Sequence, residues 1–181
     1  EILDEALVAH VGITAEHGPV VLPMTFARID DTIYLHGAAA NALLASADGT
    51  PVCVEVTLLD GLVLARSMFH HSMNYRSVVI YGTGRRTRDA DECRAASIAL
   101  TDKMWPGRGA EARAPYDSEI RATAFVALDI TEASVKSRAG GPVDDDEDMG
   151  VQVWAGVVPI TTTFGVPIAD DRNIGELPGR A

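Results

Sequence analysis

The sequence predicts a mainly-β protein, an antiparallel barrel or sandwich with short helices. Six or seven runs of the 181-residue chain are rich in β-branched, aromatic and other sheet-forming residues. Turn-forming segments separate several of these runs, and only three stretches suit helices. Hairpin-forming strands with few helices are typical of antiparallel barrels and sandwiches, so six or seven strands in a Greek-key-like arrangement are expected.

The N-terminal part is predicted to contain two short helices and a hairpin. In chain order its elements are a helix, a strand, two hairpin strands and a second helix, at residues 2–8, 10–13, 20–27, 32–35 and 38–47. Asp30 and Asp31 provide the hairpin turn. The second helix is rich in Ala and Leu and has no β-branched residue, which favours helix.

The Asp60-Gly61 pair predicts a second, tighter hairpin. Both central positions of a type I′ turn need positive φ, which Asp and Gly tolerate. Sheet-forming runs at residues 52–59 and 62–67 flank the pair. We therefore expect two separate strands joined at Asp60-Gly61.

The C-terminal part is predicted to alternate strands with one long helix. The strands are expected at residues 75–82, 124–130 and 153–163, and the helix at residues 89–104. The acidic run at residues 144–148 lacks the ligand spacing and central glycine of a calcium loop, which predicts a solvated loop. One domain is expected over residues 1–168, followed by a loosely ordered tail at residues 169–181.

Composition excludes several classes of function. The formal net charge of -11 opposes the attraction that drives sequence-independent nucleic-acid binding. No apolar run approaches the ~20 residues that span a bilayer, so we expect a cytoplasmic protein. Cys53 and Cys93 lack the close spacing of metal or redox pairs and are predicted to be inert thiols.

The densest group of functional side chains lies at residues 67–77, predicted as a loop between two strands. Its adjacent histidines, His70 and His71, can bind a metal, act as acid or base near neutral pH, or stack on a planar ligand. The sequence has no HExxH motif or spaced carboxylates to complete a metal site, so none is predicted. Most such histidine pairs are surface residues without a role. Here the neighbouring Asn, Tyr, Arg and Ser side chains favour a ligand-binding loop.

Two glycine-containing segments carry weaker signals. Gly82-Thr83-Gly84 has no third glycine and no βαβ context, so it predicts a bend in a strand rather than a dinucleotide site. His36-Gly37 precedes the Ala-rich helix, and backbone N–H groups at a helix start can bind a phosphate. Helix starts without ligands are nevertheless the common case.

Several ordered blocks resemble the pyridoxamine 5′-phosphate oxidase-like, flavin-nucleotide-binding family, including its nitroimidazole-resistance proteins. The most specific block is His-His-Ser-Met-Asn-Tyr-Arg-Ser-Val at residues 70–78, and the others lie at residues 21–24, 33–37, 56–67, 136–145 and 153–159. The resemblance implies a split β-barrel that forms a homodimer. It also implies FMN, held between the two protomers.

The resemblance also assigns site residues. The strand at residues 21–26 would lie along the isoalloxazine ring, and residues 34–37 would approach the ribityl phosphate. Arg76-Ser77-Val78 is similar to the Arg-Gln-Val of the oxidase, and Trp154-Ala155-Gly156 is similar to its Trp-x-Gly strand. The implied cofactor-binding residues are Pro23, Met24, Thr25, Tyr34, His36, Gly37, Asn41, Ser67, Asn74, Arg76, Ser77 and Phe164.

Two departures from the family pattern qualify these assignments. Flavin-binding relatives have a basic element after the strand that corresponds to residues 33–36, whereas residues 37–42 contain no cation. Each lost charge-assisted hydrogen bond costs roughly 1.5–3 kcal/mol, so FMN binding is expected to be weak or absent unless Arg76, Lys136 or Arg138 compensates. The oxidase's Arg-x-His has no match at residues 168–173, which argues against pyridoxamine phosphate oxidase activity.

The leading functional hypothesis is a flavin-dependent oxidoreductase that acts on a small planar compound, nitroaromatic compounds included. His70 or His71 would donate a proton to the substrate or stack on it, and Tyr75 would be a second donor. One alternative is a non-catalytic module that binds a flavin, a deazaflavin or haem. Another is a flavin-free paralogue. The missing cations favour these alternatives, and the intact histidine block favours a working pocket.

Overall fold

The structure, a computed structural model, describes residues 1–177 and residue 179 and confirms the mainly-β prediction. Its strands are β1 (Val8–Ala15), β2 (Gly18–Ile29), β3 (Thr32–Ala38), β4 (Pro51–Leu64), β5 (Ser72–Thr83), β6 (Arg85–Thr87), β7 (Thr123–Asp129), β8 (Glu132–Arg138) and β9 (Gly156–Pro159). The strand order is β6-β7-β3-β2-β1-β4-β5-β8, and β9 pairs with β4. The described residues thus form nine strands rather than six or seven. The short strand β6 and the exposed strand β8 were not predicted.

Five helices accompany the strands in the described part of the chain: α1 (Ile2–Glu5), α2 (Ala42–Ala47), α3 (Ala90–Met104), α4 (Arg108–Glu111) and α5 (Asp117–Ala122). The long helix was predicted correctly, and the Asp89 carboxylate caps its start by accepting the N–H groups of Asp91 and Glu92. Helix α2 begins later than expected because Ala38 still pairs within the sheet. No helix in the described residues has the length and apolar character needed to cross a membrane.

The chain divides into two compact units. The first comprises Glu1–Thr57 and Ser77–Val135, and the second comprises Leu58–Arg76 with the described part of Lys136–Gly179. Strands β4, β5 and β8 pass from one unit into the other. The prediction of a single domain with a loose tail stays a prediction.

The core of the first unit forms where α3 packs on the sheet. Buried side chains of the helix meet buried side chains of β2, β3 and β7, namely Cys93, Ala96 and Leu100 with Ala27, Tyr34, Phe125 and Ala127. The small residues on both surfaces allow close packing. Full burial of a side chain such as Leu100 contributes about 1.5–3 kcal/mol to stability.

A polar network around Glu92 fixes α3 to the neighbouring strands. The Glu92 carboxylate accepts hydrogen bonds from the Arg85 guanidinium at 2.6 and 3.1 Å, from the Tyr34 hydroxyl at 3.0 Å, and from the Thr87 hydroxyl. The bonds from Arg85 outweigh the effect of burial and, with those from Thr87 and Tyr34, hold the pKa of Glu92 at about 2. The Glu92 carboxylate is therefore ionised at neutral pH, and both of its oxygens accept hydrogen bonds.

The hairpin predicted at Asp60-Gly61 is wrong, because both residues lie inside the continuous strand β4. Gly61 pairs with Pro159 of β9, and a Cβ on it would approach Val157 and Val158 to 3.1 Å. Gly61 does not have positive φ. The Asp60 carboxylate instead accepts two hydrogen bonds from Arg76, at 2.9 and 2.8 Å. The close approach of β9, rather than a turn, explains why a glycine stands at position 61.

Three other expectations need correction. The segment predicted as a loop at residues 67–77 contains a 3₁₀ turn, Met68–His70, and then the start of β5. The strand expected at residues 153–163 is only four residues long, and Trp154 precedes it with an exposed side chain. The acidic run at residues 144–148 contains a 3₁₀ turn, Asp146–Gly150, and its first carboxylate is buried.

Candidate functional site

The histidine pair of the second unit lies on a turn that presents apolar side chains to the surface. The 3₁₀ turn Met68–His70 connects Ser67 to His71, which precedes β5. The side chains of Met68 and Phe69 are 97% and 89% exposed. Large apolar side chains exposed side by side are typical of ligand or partner surfaces. We define residues 67–71 as the histidine turn.

Hydrogen bonds fix the orientation of both imidazole rings. His71 Nδ1 lies 2.8 Å from the Ser67 carbonyl oxygen, which can only accept, so Nδ1 donates and the second nitrogen, Nε2, is not used in this bond. His70 Nε2 lies 3.1 Å from a carboxylate oxygen of Asp145, which can only accept, so His70 Nε2 donates. Since His71 is exposed, its Nε2 is available to a ligand.

A buried carboxylate anchors the start of the histidine turn. Asp144 accepts hydrogen bonds from the Arg66 backbone N–H at 2.7 Å and from its guanidinium at 2.9 Å. The Asp144 side chain is only 1% exposed. Burial raises the pKa of this carboxyl, but the hydrogen bonds from Arg66 outweigh that effect and bring the pKa below its ordinary value. Asp144 therefore holds the backbone from which the histidine turn begins.

One group of side chains has the composition of a metal site. Ligand atoms of His70, Asp145 and Asp148 lie within 4.8 Å of one another. Asp145 is exposed and already hydrogen-bonded to His70. Exposed carboxylates group together commonly without a cation, so this grouping by itself does not establish a metal site.

Other residues predicted in the second unit make internal contacts. Asn74 is buried, donates to the Gly140 carbonyl at 3.1 Å and accepts from Arg138 at 2.6 Å. Arg76 forms the bidentate ion pair with Asp60. Two of the three cations expected to compensate for the missing basic element, Arg76 and Arg138, thus bind groups of the protein itself.

The remaining predictions for the second unit involve four side chains, those of Ser67, Tyr75, Lys136 and Phe164. Ser67 Oγ is buried and, among the described residues, has no hydrogen-bond partner. The Lys136 ammonium lies 6.0 Å from the centre of the Tyr75 ring. Phe164 is 57% exposed in a segment without helix or strand.

In the first unit, the predicted ring-binding residues lie on β2. Pro23 is exposed, and Met24 and Thr25 are half-buried. A groove of about 330 Å³ lies alongside, lined mainly by apolar side chains of β1, β2, β4 and β5, including Val21, Cys53 and Tyr81. Ser77 is half-buried on β5. The groove includes the beginning of the predicted strand but not Pro23, Met24 or Thr25.

The residues predicted to approach the phosphate lie on β3 and before α2. Tyr34 is buried in the Glu92 network, and His36 is exposed with its ring 6.4 Å from that of Phe125. A Cβ on Gly37 would lie 2.9 Å from Leu44. Asn41 Oδ1 accepts the N–H groups of Leu43 and Leu44 at 3.0 and 3.2 Å. Asn41 thus occupies the backbone donors that were expected to bind a phosphate.

One group of residues was not predicted from the sequence: three arginines that line a cavity of about 270 Å³. The cavity is lined by Arg86, Thr87, Arg88, Cys93, Ile120, Arg121 and Thr123. Arg86 and Arg88 belong to one segment, and Arg121 is more than thirty residues away. No motif connects them, and only the pairing of β6 with β7 brings the two segments together.

Comparison with solved structures identifies two similar proteins that extend over nearly the whole chain. The flavocytochrome Anf3 from Azotobacter vinelandii is 38% identical, with a TM-score of 0.90 over 98% of this chain and 83% of that one. A FAD and heme binding protein from Mycobacterium smegmatis is 39% identical, with a TM-score of 0.91 over 98% of this chain and 87% of that one. These relatives confirm the predicted split-barrel fold.

A third solved structure is more distant. A proposed 5-nitroimidazole antibiotic resistance protein from Bacteroides thetaiotaomicron is 24% identical, with a TM-score of 0.61 over 74% of this chain and 78% of that one. This similarity concerns the fold alone. Among curated proteins, none matches the sequence.

The family assignment comes from the sequence itself. Residues 1–137 match the family model described as pyridoxamine 5′-phosphate oxidase. The match covers the strands and helices of the first unit and the histidine turn. The resemblance inferred from the ordered blocks is thereby confirmed, and the chain belongs to the pyridoxamine 5′-phosphate oxidase family.

Proposed function

We propose that this protein binds a flavin nucleotide and a haem and acts as an oxidoreductase. The observation that carries the proposal is the histidine turn, where a fixed and exposed imidazole adjoins exposed apolar side chains. The two proteins at 38% and 39% identity support it, because one is named a flavocytochrome and the other a FAD and heme binding protein. Bound together, the cofactors would supply one-electron and two-electron transfer.

The histidine turn fits a haem ligand in both geometry and surroundings. Protein ligands of haem iron are commonly neutral imidazoles, whose second nitrogen donates to a carbonyl or carboxylate. His71 matches this arrangement, since its Nδ1 donates to the Ser67 carbonyl and its Nε2 is not engaged in that bond. Met68 and Phe69 offer the apolar contact that a flat macrocycle needs. His71 would therefore hold the haem iron through Nε2, and His70, held by Asp145, would be a candidate proton donor.

The flavin is proposed to be FAD rather than the FMN inferred from the sequence. The M. smegmatis relative is named for FAD, and the groove beside β2 offers an apolar surface for a planar ring. Pro23, Met24 and Thr25 follow the groove residue Val21 on β2 and remain the proposed contacts of the ring where it extends beyond the groove. Tyr75 remains a candidate proton donor. A small planar electron acceptor, nitroaromatic compounds included, remains the proposed substrate class.

The protein is proposed to act as a homodimer with its flavin at the subunit interface. Three consecutive residues of β2, Val21, Leu22 and Pro23, are exposed, and the first of them lines the apolar groove. Exposed apolar patches of this kind mark association surfaces. The molar mass of the purified protein in solution should be twice that of the 19.2 kDa chain.

The absorption spectrum of the purified protein tests the proposal. We expect flavin bands together with a Soret band after addition of FAD and haem. The variant His71→Ala should lose the Soret band or bind haem at least tenfold more weakly, while its flavin bands persist. His17→Ala, which removes an exposed imidazole from the β1–β2 turn, is the matched control and should bind both cofactors normally.

Three results would contradict parts of this proposal. A wild-type protein that gains no bands from either cofactor would refute it entirely. Flavin bands without any haem binding would reduce it to a simple flavoprotein. Equal haem affinity in wild type and His71→Ala would refute the ligand assignment.

A further inference from the structure

The arginine cavity of the first unit is bounded by two chain segments. Arg86 belongs to β6 and Arg88 follows it, whereas Arg121 lies in the last turn of α5. Thr123 begins β7, which pairs with β6. Three arginines thus line a single cavity of about 270 Å³.

These three guanidinium groups have no anionic partner among residues 1–177 and 179. Other arginines of the same unit are paired: Arg85 with Glu92, Arg94 with Asp91 and Asp117, and Arg113 with Glu119. The chain carries a formal net charge of -11, so acidic partners are abundant. Three unpaired cations at one cavity in such a protein indicate a site for an external anion.

The described carboxylates close to these arginines in the fold form no ion pair with them, and their hydrogen bonds go to other groups. Asp48 accepts the backbone N–H of Arg86 at 2.9 Å. Asp89 accepts two backbone N–H groups at the start of α3. Glu119 accepts both the Arg113 guanidinium and the Tyr116 N–H. The arginine side chains therefore remain available.

The cavity lies directly across the sheet ladder from the cation-free segment noted in the sequence. Thr123, a lining residue, pairs with Ala38, and the Ala39 N–H donates to the Ala122 carbonyl at 2.9 Å. Since Asn41 caps α2 with its own side chain, that helix start offers a ligand little. The cations that this segment lacks are thus present on the strand and helix beside it.

We propose that Arg86, Arg88 and Arg121 form a binding site for a phosphate or diphosphate group. Guanidinium groups bind phosphate oxygens in bidentate fashion, and three of them match an anion with several charges. The cavity is smaller than most small-ligand pockets, so it suits the phosphate part of a larger molecule. The diphosphate of the flavin nucleotide is the assigned source, and this assignment rests on the proposed function.

The distance to the apolar groove is compatible with that source. Gly82 lines the groove and Arg86 lines the cavity, and four residues of extended chain span at most about 14 Å. Both residues belong to the first unit. A flavin nucleotide with its ring in the groove can therefore extend its ribityl chain and phosphates towards the arginines.

The test compares ligands with and without phosphate. Pyrophosphate, FAD and riboflavin are titrated calorimetrically into wild type, into the triple variant Arg86→Gln/Arg88→Gln/Arg121→Gln, and into a control. The control, Arg108→Gln/Arg113→Gln/Arg172→Gln, removes the same charge from exposed arginines outside the cavity. We expect the cavity variant to bind pyrophosphate and FAD at least about tenfold more weakly, and riboflavin as wild type does. The control should match wild type within about twofold.

Each outcome decides the proposal. Loss of both pyrophosphate and FAD affinity supports the site and the nucleotide as its source. Loss of pyrophosphate affinity alone supports the site and assigns it to another phosphorylated ligand. If wild type binds pyrophosphate through the arginines but no flavin, the site stands and the proposed function fails. Equal pyrophosphate affinity in all three proteins, or none in wild type, overturns the site.

Discussion

Arg85 and Arg86 are adjacent on β6, but within the described part of the chain the Arg85 side chain is paired with a carboxylate and the Arg86 side chain is not. Arg85 joins Tyr34 and Thr87 in binding Glu92, so both oxygens of that carboxylate accept hydrogen bonds. Arg86 lines the arginine cavity, where no carboxylate of the described residues pairs with it. Successive side chains of a strand point to opposite faces, so one strand serves both regions.

This difference separates charges that stabilise the fold from charges that are available to a ligand. The Glu92 carboxylate is the shared acceptor of this network, so its loss would leave the donors of Arg85, Tyr34 and Thr87 without their partner. An unpaired surface arginine contributes little to folding, because water solvates it in both the folded and the unfolded protein. Mutations in the Glu92 network should therefore lower stability. Mutations in the arginine cavity should instead lower anion affinity and leave stability nearly unchanged.

The largest expected effect is on stability, from Glu92→Gln. The variant loses the charged acceptor for Arg85, and the amide cannot accept all three donors. We expect the free energy of unfolding to fall by about 1–2 kcal/mol, after allowance for solvent screening. Urea denaturation at pH 7 measures this. Arg88→Gln in the cavity is the contrast and should change stability by less than about 0.5 kcal/mol. Equal losses of stability in the two variants would show that Glu92 stabilises the fold no more than an unpaired arginine does.

The Glu92 contribution should also depend on pH. Its pKa is about 2 in the folded protein, below the ordinary value of 4.5, because Arg85, Thr87 and Tyr34 stabilise the anion. A lowered carboxyl pKa stabilises the fold fully above the unfolded-state pKa, and this stabilisation is lost as the pH falls through the folded-state value. The stability difference between wild type and Glu92→Gln should therefore narrow from pH 4.5 to pH 2. A constant difference across this range would show that charge on Glu92 does not stabilise the network.

The two regions also show what the sequence can predict. The helix at residues 89–104 and the hairpin at Asp30-Asp31 follow from local propensity and turn chemistry, and both are present. The hairpin predicted at Asp60-Gly61 is absent because a distant strand, β9, pairs with Gly61 and a distant side chain, Arg76, binds Asp60. The histidine pair was found because its residues are adjacent. The arginine cavity was missed because strand pairing, not sequence spacing, assembles it.

The anchoring of the histidine turn has the same non-local origin. Asp144 lies 78 residues from Arg66 and belongs to an acidic run whose composition predicts a solvated loop. The composition of the run predicts the same exposed environment for all of its carboxylates. Asp144 differs from the others because its side chain is buried in an ion pair with Arg66. Only three-dimensional contacts reveal which carboxylate is structural.

The smallest expected effect comes from the loss of one hydrogen bond in the Glu92 network. Tyr34→Phe removes the hydroxyl that donates to Glu92 at 3.0 Å but retains the buried ring. Arg85 and Thr87 still bind the carboxylate, so urea denaturation should show a loss of only about 0.5–1.5 kcal/mol. Because family resemblance also assigns Tyr34 to the cofactor site, FAD affinity is measured in parallel. A lower FAD affinity at unchanged stability would show that the Tyr34 hydroxyl serves cofactor binding rather than the stability of the fold.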